Sequence, residues 1–168
     1  MRCKLINSVK RTTSYVREGT SSKVHFHDPS NILKFDGSYF VWFTRNLEDH
    51  SYASTYFAVS TDGIQWEIQG EALPLGNQGD WDDSGNLAPY VALADDHFYL
   101  FYTGFTNKDL STRHLGLARA KTPWGPWVRF KDEPVLCHGQ RQTDWHSNMV
   151  GDYNAVFRES KWWLYFKG

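Results

Sequence analysis

The apolar positions along the chain form short strands, and one pattern of strands occurs three times. In each copy, a short apolar segment is followed by a tight acidic or Gly-containing turn and then by a strand rich in aromatic residues. The turns and aromatic strands occupy residues 35–44, 94–103 and 158–167. The strands before them are predicted at residues 32–35, 90–93 and 155–157. Two strands joined by a tight turn of this kind predict a β-hairpin.

A second hairpin follows in the first two copies. Residues 52–60 reach the turn Thr61-Asp62-Gly63 and return through residues 66–68, while residues 113–120 turn and return through residues 127–130. Four strands per unit, repeated at a step of about sixty residues, are typical of the blades of a propeller. Because no helical periodicity competes, the sequence predicts an all-β fold: a β-propeller with about two and a half blades of four-stranded antiparallel sheet.

The repeat also predicts the boundaries of the units. Residues 1–25 have little periodicity and are expected to form an N-terminal arm or a strand that closes a blade. A partial propeller domain follows over residues 26–168. Propellers typically have ~4 to 8 blades, so the chain resembles part of a domain, or one that is completed by association. Open blade edges favour pairing with another chain, which makes a homo-oligomer one expectation. The predicted blades lie at residues 26–75, 80–135 and, for the partial third blade, 150–168.

Composition narrows the classes of partner. The aromatic content is 17%, and most of these rings are expected in the core, although flat rings also stack on sugars. Eighteen basic and 19 acidic residues give a net charge of −1, which argues against a nucleic-acid partner. Two cysteines, Cys3 and Cys137, are too few for a disulfide framework or a four-cysteine zinc site. No segment has the length of a membrane span or a signal-peptide core, so the chain as given is expected to be cytoplasmic, although a longer parent could be secreted or periplasmic.

Two aspartates are candidates for acid and base chemistry. Cleavage of a glycosidic bond generally needs two carboxyl groups. Asp28 directly precedes the predicted innermost strand of the first unit, and Asp152 lies at the corresponding edge of the third. Because innermost strands line the central channel of a propeller, the two carboxylates are expected to converge there. The alternatives are an Asp-Pro turn at Asp28 and an ordinary loop acid at Asp152.

The loop that begins the second unit offers candidate sugar-binding groups. Asp82 and Asp83 could accept hydrogen bonds from sugar hydroxyls, while Trp81 offers a stacking face. A solvated acidic loop is the alternative interpretation.

Histidines and one further tryptophan complete the candidate site. His27 is expected to orient Asp28 or to bind substrate, and Trp145 and His146 lie in a polar segment that suits a loop over the channel mouth. A plain connecting loop is the alternative. His25 and His27 form a His-X-His pair, but no third ligand at a diagnostic spacing completes a metal site. No cofactor is therefore predicted, and a structural divalent cation in the channel remains compatible with the pattern.

Taken together, these motifs resemble the five-bladed propeller glycoside hydrolases, a clan that includes families 43, 32, 68 and 117. The resemblance covers about residues 25–168. It is carried by five motifs: His27-Asp28-Pro29-Ser30, the segment 60–66, Leu87-Ala88-Pro89, Gly125-Pro126-Trp127, and Asp152 before an aromatic hairpin.

The resemblance implies a role for each aspartate. Asp28 would be the base that activates water in an inverting reaction, and Asp152 would tune the proton donor and orient the sugar. Residues 162–168 look most like family 117, whose members release 3,6-anhydro-L-galactose from agar-derived oligosaccharides. Family 43 members, which act on arabinan or xylan side groups, are the nearest alternative.

The sequence departs from these families in one respect. Their general acid comes from a later blade, and this chain ends before such a blade. The expected function is therefore a glycosidase-type propeller that binds or cleaves oligosaccharides from plant or algal polysaccharides, with the acid missing from this chain. A carbohydrate-binding module and a propeller-like interaction scaffold are the alternatives.

Overall fold

The computed structural model describes residues 24–47, 52–106, 113–147 and 149–168, and these residues form eleven strands without a helix. No helix able to span a membrane occurs in this part of the chain. The strands are β1 (Val24–His27), β2 (Leu33–Phe35), β3 (Ser38–Leu47), β4 (Ala53–Ser60), β5 (Glu67–Leu73), β6 (Gly85–Ala94), β7 (His97–Phe105), β8 (His114–Ala120), β9 (Val128–Arg129), β10 (Gly151–Arg158) and β11 (Lys161–Lys167).

The strands form two complete blades and the inner half of a third. In blade 1, β1 and β2 pair with different parts of β3, and β4 and β5 follow in antiparallel order. Blade 2 consists of β6, β7, β8 and β9, also antiparallel. In blade 3, β10 pairs with β11. The predicted all-β propeller architecture, with about two and a half blades, is confirmed. A single parallel bridge between Ala53 and Gly85 links blades 1 and 2.

Three tight turns explain why the inner hairpins form where the sequence predicts them. The paired turn residues Asp36-Gly37, Asp95-Asp96 and Glu159-Ser160 all have positive φ, between 46° and 80°. Two consecutive residues of positive φ define the turns whose twist matches that of a β-hairpin, and Asp and Gly are among the residues that adopt this geometry most readily. The acidic turns are therefore structural.

The aromatic strands fill the spaces between blades. Along β7, side chains alternate between two clusters: Leu100 and Tyr102 pack toward blade 1, whereas Tyr99 and Phe101 pack toward blade 3. A strand buried on both faces loses the usual alternation of apolar and polar residues, which explains much of the aromatic content. The core interpretation of most aromatic residues is thereby confirmed.

The blade boundaries differ slightly from those predicted. β1 begins at Val24, inside the segment predicted as an arm, and residues 1–23 lie outside the described residues. The innermost strands β6 and β10 are also longer than expected, so that Asp152 lies within β10 rather than before it. Because polar residues occur near the beginnings of β6 and β10, a pattern of apolar residues does not mark where these strands start.

Candidate active site

Three non-glycine residues near the beginnings of the blades have a left-handed backbone conformation: Asp28 directly follows β1, Ala88 lies in β6, and Asp152 lies in β10. The φ values are 49° at Asp28, 50° at Ala88 and 52° at Asp152. Residues other than glycine adopt this conformation at a cost of order 1–3 kcal/mol, and such positions concentrate at functional sites. The chain is therefore kinked once near the beginning of each blade.

The three kinks occupy the same position in the repeat. The residues just before them, His27, Leu87 and Gly151, pair across the sheet with Thr44, Thr103 and Lys167, respectively. These three partners all stand at the end of the aromatic strand in their own copy. The repeat thus carries Asp, Ala and Asp at one equivalent position in blades 1, 2 and 3.

The kinked segments converge on one cavity of about 350 Å³. Its walls are residues 28–31 from blade 1, 88–90 from blade 2 and 152–154 from blade 3. The structure therefore brings Asp28 and Asp152, which are 124 positions apart in the sequence, to the same open cavity. The cavity is therefore lined by two carboxylates, the kind of group that glycosidic bond cleavage uses.

Neighbouring residues hold Asp28 in place. His27 Nδ1 lies 2.8 Å from Asp28 Oδ2, so that the ring orients the carboxylate when this nitrogen carries its proton. The following loop is fixed to the sheet, because the backbone N–H of Ser30 donates to the Trp42 carbonyl and the Ser30 hydroxyl accepts the Trp42 N–H. The side-chain amide of Asn31 bonds both backbone groups of Val91 in the neighbouring blade. Asp28 is therefore preorganised without being buried.

Asp152 belongs to the part of the cavity wall that blade 3 contributes. Its Oδ2 lies 3.7 Å from Lys167 Nζ across the β10–β11 pair, and both side chains are exposed. The next residue, Tyr153, is buried and donates a hydrogen bond to the Val150 carbonyl at 2.6 Å. Burial raises the pKa of the Tyr153 hydroxyl, so that it stays protonated and acts as a structural donor. Tyr153 thereby anchors the backbone beside Asp152.

A second, smaller cavity adjoins the first at Asp28. It measures about 170 Å³ and is lined by His27, Asp28, Asn46, Ala53, Leu87, Phe105 and Arg113. Asp28 lies between the two cavities and contributes to both. No sequence pattern singles out Arg113, which directly precedes β8 in the second hairpin of blade 2 and belongs to no motif.

The prediction that Asp82 binds sugar is wrong. Its side chain is fully buried, and Oδ2 accepts hydrogen bonds from Tyr102 at 2.9 Å and from Arg129 at 2.8 Å. This carboxylate neutralises a cation inside blade 2 and cannot reach a ligand. Desolvation and the Asp82 charge raise the pKa of Tyr102, which keeps its hydroxyl a donor in the same cluster.

Its neighbours Trp81 and Asp83 also lie outside both cavities. The Trp81 ring stacks on Tyr102 with centroids 5.7 Å apart and packs against the backbone of Gly104. The carboxylate of Asp83 accepts hydrogen bonds from the Gly79 N–H and from the hydroxyls of Ser84 and Thr106. These hydrogen bonds lower the pKa of Asp83, the Gly79 N–H most strongly. The loop is therefore held together by its own polar groups, and sugar binding by Trp81 and Asp83 stays a prediction.

Trp145 and His146 lie in the segment between blades 2 and 3. Trp145 is 66% exposed, and its ring packs on Phe166 and His146 with centroids 5.1 and 4.9 Å away. Neither residue lines the cavities that contain Asp28. A sugar-binding role for them stays a prediction, and it would apply to sugar units outside those cavities.

The donor groups for a metal ion are dispersed. Within the described ranges, no three His, Cys, Asp or Glu side chains are grouped closely enough to hold a metal ion.

The arrangement of propeller blades and the aspartates near the beginnings of blades 1 and 3 are the features on which the resemblance to the propeller glycoside hydrolases rests. The family model of the "Glycosyl hydrolases family 32 N-terminal domain" matches residues 20–167, and the chain belongs to this family. The resemblance to the propeller glycoside hydrolases is thereby confirmed. A comparison with curated proteins finds no significant match.

Solved structures show the same fold. A family 117 glycoside hydrolase from the marine bacterium Zobellia galactanivorans is 19% identical, with a TM-score of 0.75 over 85% of this chain and 48% of that one. A GH43_1 enzyme from Xanthomonas citri, solved with xylotriose, is 20% identical, with a TM-score of 0.63 over 88% of this chain and 43% of that one. A thermostable family 43 glycoside hydrolase is 20% identical, with a TM-score of 0.61 and coverages of 86% and 42%. The chain spans about half the length of these structures.

Proposed function

We propose that this chain supplies the base-bearing half of the active site of an inverting glycosidase that acts on oligosaccharides from plant or algal polysaccharides. The observation that supports this role is the convergence of Asp28 and Asp152 on one cavity from equivalent kinks in blades 1 and 3. The family of the chain supports the reaction class.

Asp28 is the proposed general base. Its carboxylate accepts a proton from a water molecule, which then attacks the anomeric carbon and inverts its configuration. His27 holds one carboxylate oxygen, which leaves the other free to face the water. The loop fixed by Ser30 and Asn31 limits the reorganisation needed to reach this geometry.

Asp152 is the proposed positioning group. It lines the same cavity as Asp28, and its exposed carboxylate accepts hydrogen bonds from sugar hydroxyls while Lys167 balances its charge. The general acid that protonates the leaving oxygen is proposed to come from outside the described residues. A positioned general acid typically contributes ~10²- to 10⁴-fold to the rate, so the assembled site needs it for full activity.

Substitution of the two aspartates tests this proposal. Oligosaccharides of agar, arabinan and xylan would be incubated with the full-length or assembled enzyme, in which the general acid is present, carrying the wild-type sequence, Asp28→Asn, Asp152→Asn or Asp132→Asn. Asp132 is an exposed acid outside both cavities and serves as the matched control. Asparagine tolerates the left-handed backbone, so the fold is retained. Loss of hydrolysis only in the two cavity variants is expected, together with an inverted anomer observed by ¹H NMR. Hydrolysis retained by Asp28→Asn would remove Asp28 from the mechanism.

A carbohydrate-binding function is the second candidate. It is favoured because three blades of this chain already supply walls of the cavity. Binding would show as a change in tryptophan fluorescence on titration with the same oligosaccharides. Sugar binding without hydrolysis, unchanged in Asp28→Asn, would replace the enzymatic proposal with this one.

We also propose that two copies of the chain associate through blade 3. Among the described residues β11 pairs only with β10, which leaves its outer edge open. Val156, Trp163 and Tyr165 on this hairpin are 50 to 63% exposed. An exposed strand edge with apolar side chains favours pairing with a second edge.

A further inference from the structure

Arg113 stands apart from the other charged residues near the candidate site. It lines the 170 Å³ cavity together with His27 and Asp28, while Ala53, Leu87 and Phe105 supply apolar walls. Apolar walls strengthen electrostatic interactions, because they exclude the water that would screen them. A cation in this position acts strongly on any group that enters the cavity.

The guanidinium of Arg113 has little to bind within the described part of the chain. Its Nη1 points to the sulfur of Met149 at 3.8 Å, which is a weak acceptor. Its Nε is buried and has no hydrogen-bond partner among the described residues. The ion pairs formed between described residues join other groups, and none includes Arg113.

Arg129 is a partly buried arginine with a structural role, and its guanidinium has acceptors within the chain. Its guanidinium bonds the carboxylate of Asp82 and the carbonyl of Pro74, each at 2.8 Å. A buried cation without such partners lowers stability, so it is generally retained where a ligand supplies the missing acceptor. Arg113 is placed for that use, since its cavity adjoins the one that holds both aspartates.

We propose that Arg113 determines specificity by binding an anionic substituent, a carboxylate or a sulfate ester, on the sugar held next to Asp28. A guanidinium matches either oxyanion, because two parallel N–H groups can bond two of its oxygens. This inference rests on the proposed function, and it narrows the substrate to acidic oligosaccharides.

The test compares matched charged and neutral sugars on the full chain. D-galacturonate and D-galactose, D-glucuronate and D-glucose, and galactose 6-sulfate would each be titrated by calorimetry at 20 and 150 mM NaCl. The charged member of a pair is expected to bind about tenfold more tightly at low salt, as one charge-assisted contact implies. Tighter binding of galacturonate or glucuronate identifies a carboxylate, and tighter binding of galactose 6-sulfate identifies a sulfate ester.

Variants of Arg113 test whether this residue causes the preference for charged sugars. Arg113→Gln should bind charged and neutral sugars alike, Arg113→Lys should keep part of the preference, and Arg158→Gln, an exposed arginine paired with Glu159, should match the wild type. A charged-sugar preference that persists in Arg113→Gln would overturn the assignment. Equal or tighter binding of neutral sugars by the wild type would overturn it and leave the proposed function standing. Absence of binding to every sugar would overturn the assignment of Arg113, while the hydrolysis assay on the Asp28 variants decides the proposed function separately.

Discussion

Thr44 and Ala88 are joined across the boundary between blades 1 and 2: the Ala88 N–H donates to Thr44 Oγ1 at 2.9 Å. Thr44 ends the aromatic segment of blade 1, and Ala88 is the kinked residue of the innermost strand of blade 2. The repeat places Thr103 at the equivalent position of blade 2, where its hydroxyl lies 2.8 Å from Tyr153 Oη of blade 3. Thr44 therefore links blade 1 to blade 2 by a hydrogen bond beside the cavity, and Thr103 links blade 2 to blade 3.

Substitution of Thr44 by Val should destabilise the protein. Valine has the same shape but leaves the Ala88 N–H unsatisfied, and an unmade buried hydrogen bond costs ~1–3 kcal/mol. The free energy of unfolding in urea measures this effect. Thr44→Ser keeps the hydroxyl and should recover most of the loss. Equal stability of Thr44→Val and the wild type would show that the contact contributes nothing.

The buried pair of Asp82 and Arg129 should be required for folding of blade 2. Asp82→Ala leaves the guanidinium without its partner, and breaking a buried ion pair costs ~3–5 kcal/mol. Urea denaturation of Asp82→Ala, of the single variants Asp82→Leu and Arg129→Met, and of the double variant Asp82→Leu/Arg129→Met would measure the coupling. The double variant is expected to be more stable than Asp82→Ala alone. Additive losses in the double variant would contradict direct coupling of the two residues.

His114 should make stability fall on acidification. Burial, and then the neighbouring His138, lower its pKa below the ordinary value of 6.5. The unfolded state therefore binds a proton first as the pH falls below about 6.5, which destabilises the folded state. The decrease in Tm between pH 7.5 and pH 5.5 should be smaller in His114→Gln than in the wild type.

The control for this pH effect is His25→Gln, since His25 is exposed on β1. It should reproduce the pH dependence of the wild type. An unchanged decrease in Tm for His114→Gln would assign the acid sensitivity to other groups.

Association through blade 3 predicts a particle of twice the chain mass in light scattering. A lysine on an open strand edge opposes pairing with a second strand. Trp163→Lys should therefore shift the protein toward the monomer. Val128→Lys, on the exposed outer strand of blade 2, should leave the mass unchanged. A wild-type protein that is monomeric at all concentrations would overturn this proposal.

Much of the inner architecture could be predicted from the sequence because its signals are local. The acidic turns at residues 36–37, 95–96 and 159–160 require only a two-residue preference for positive φ. The aromatic strand after each turn follows from side-chain alternation along a strand with two buried faces. Asp28 could be singled out because it precedes a predicted strand in a repeated motif.

The candidate sugar ligands were harder to predict, because the same residue types serve as structural partners. Asp82 looks like a binding residue in the sequence, yet its carboxylate is buried and paired with Arg129 from another strand. Arg113 carries no signal at all, since its neighbours in the cavity come from blades 1 and 2. Contacts between residues far apart in the chain leave no local pattern.

By itself, the sequence determined the repeat, the hairpin turns, the all-β propeller class and the two aspartates as candidates. These follow from short-range backbone preferences and from the period of apolar side chains. Only the tertiary structure decided that Asp28, Ala88 and Asp152 share one kinked position, that Asp82 is buried against Arg129, and that Arg113 adjoins Asp28. Burial and charge pairing depend on which blades are in contact, and those contacts form only when the chain folds.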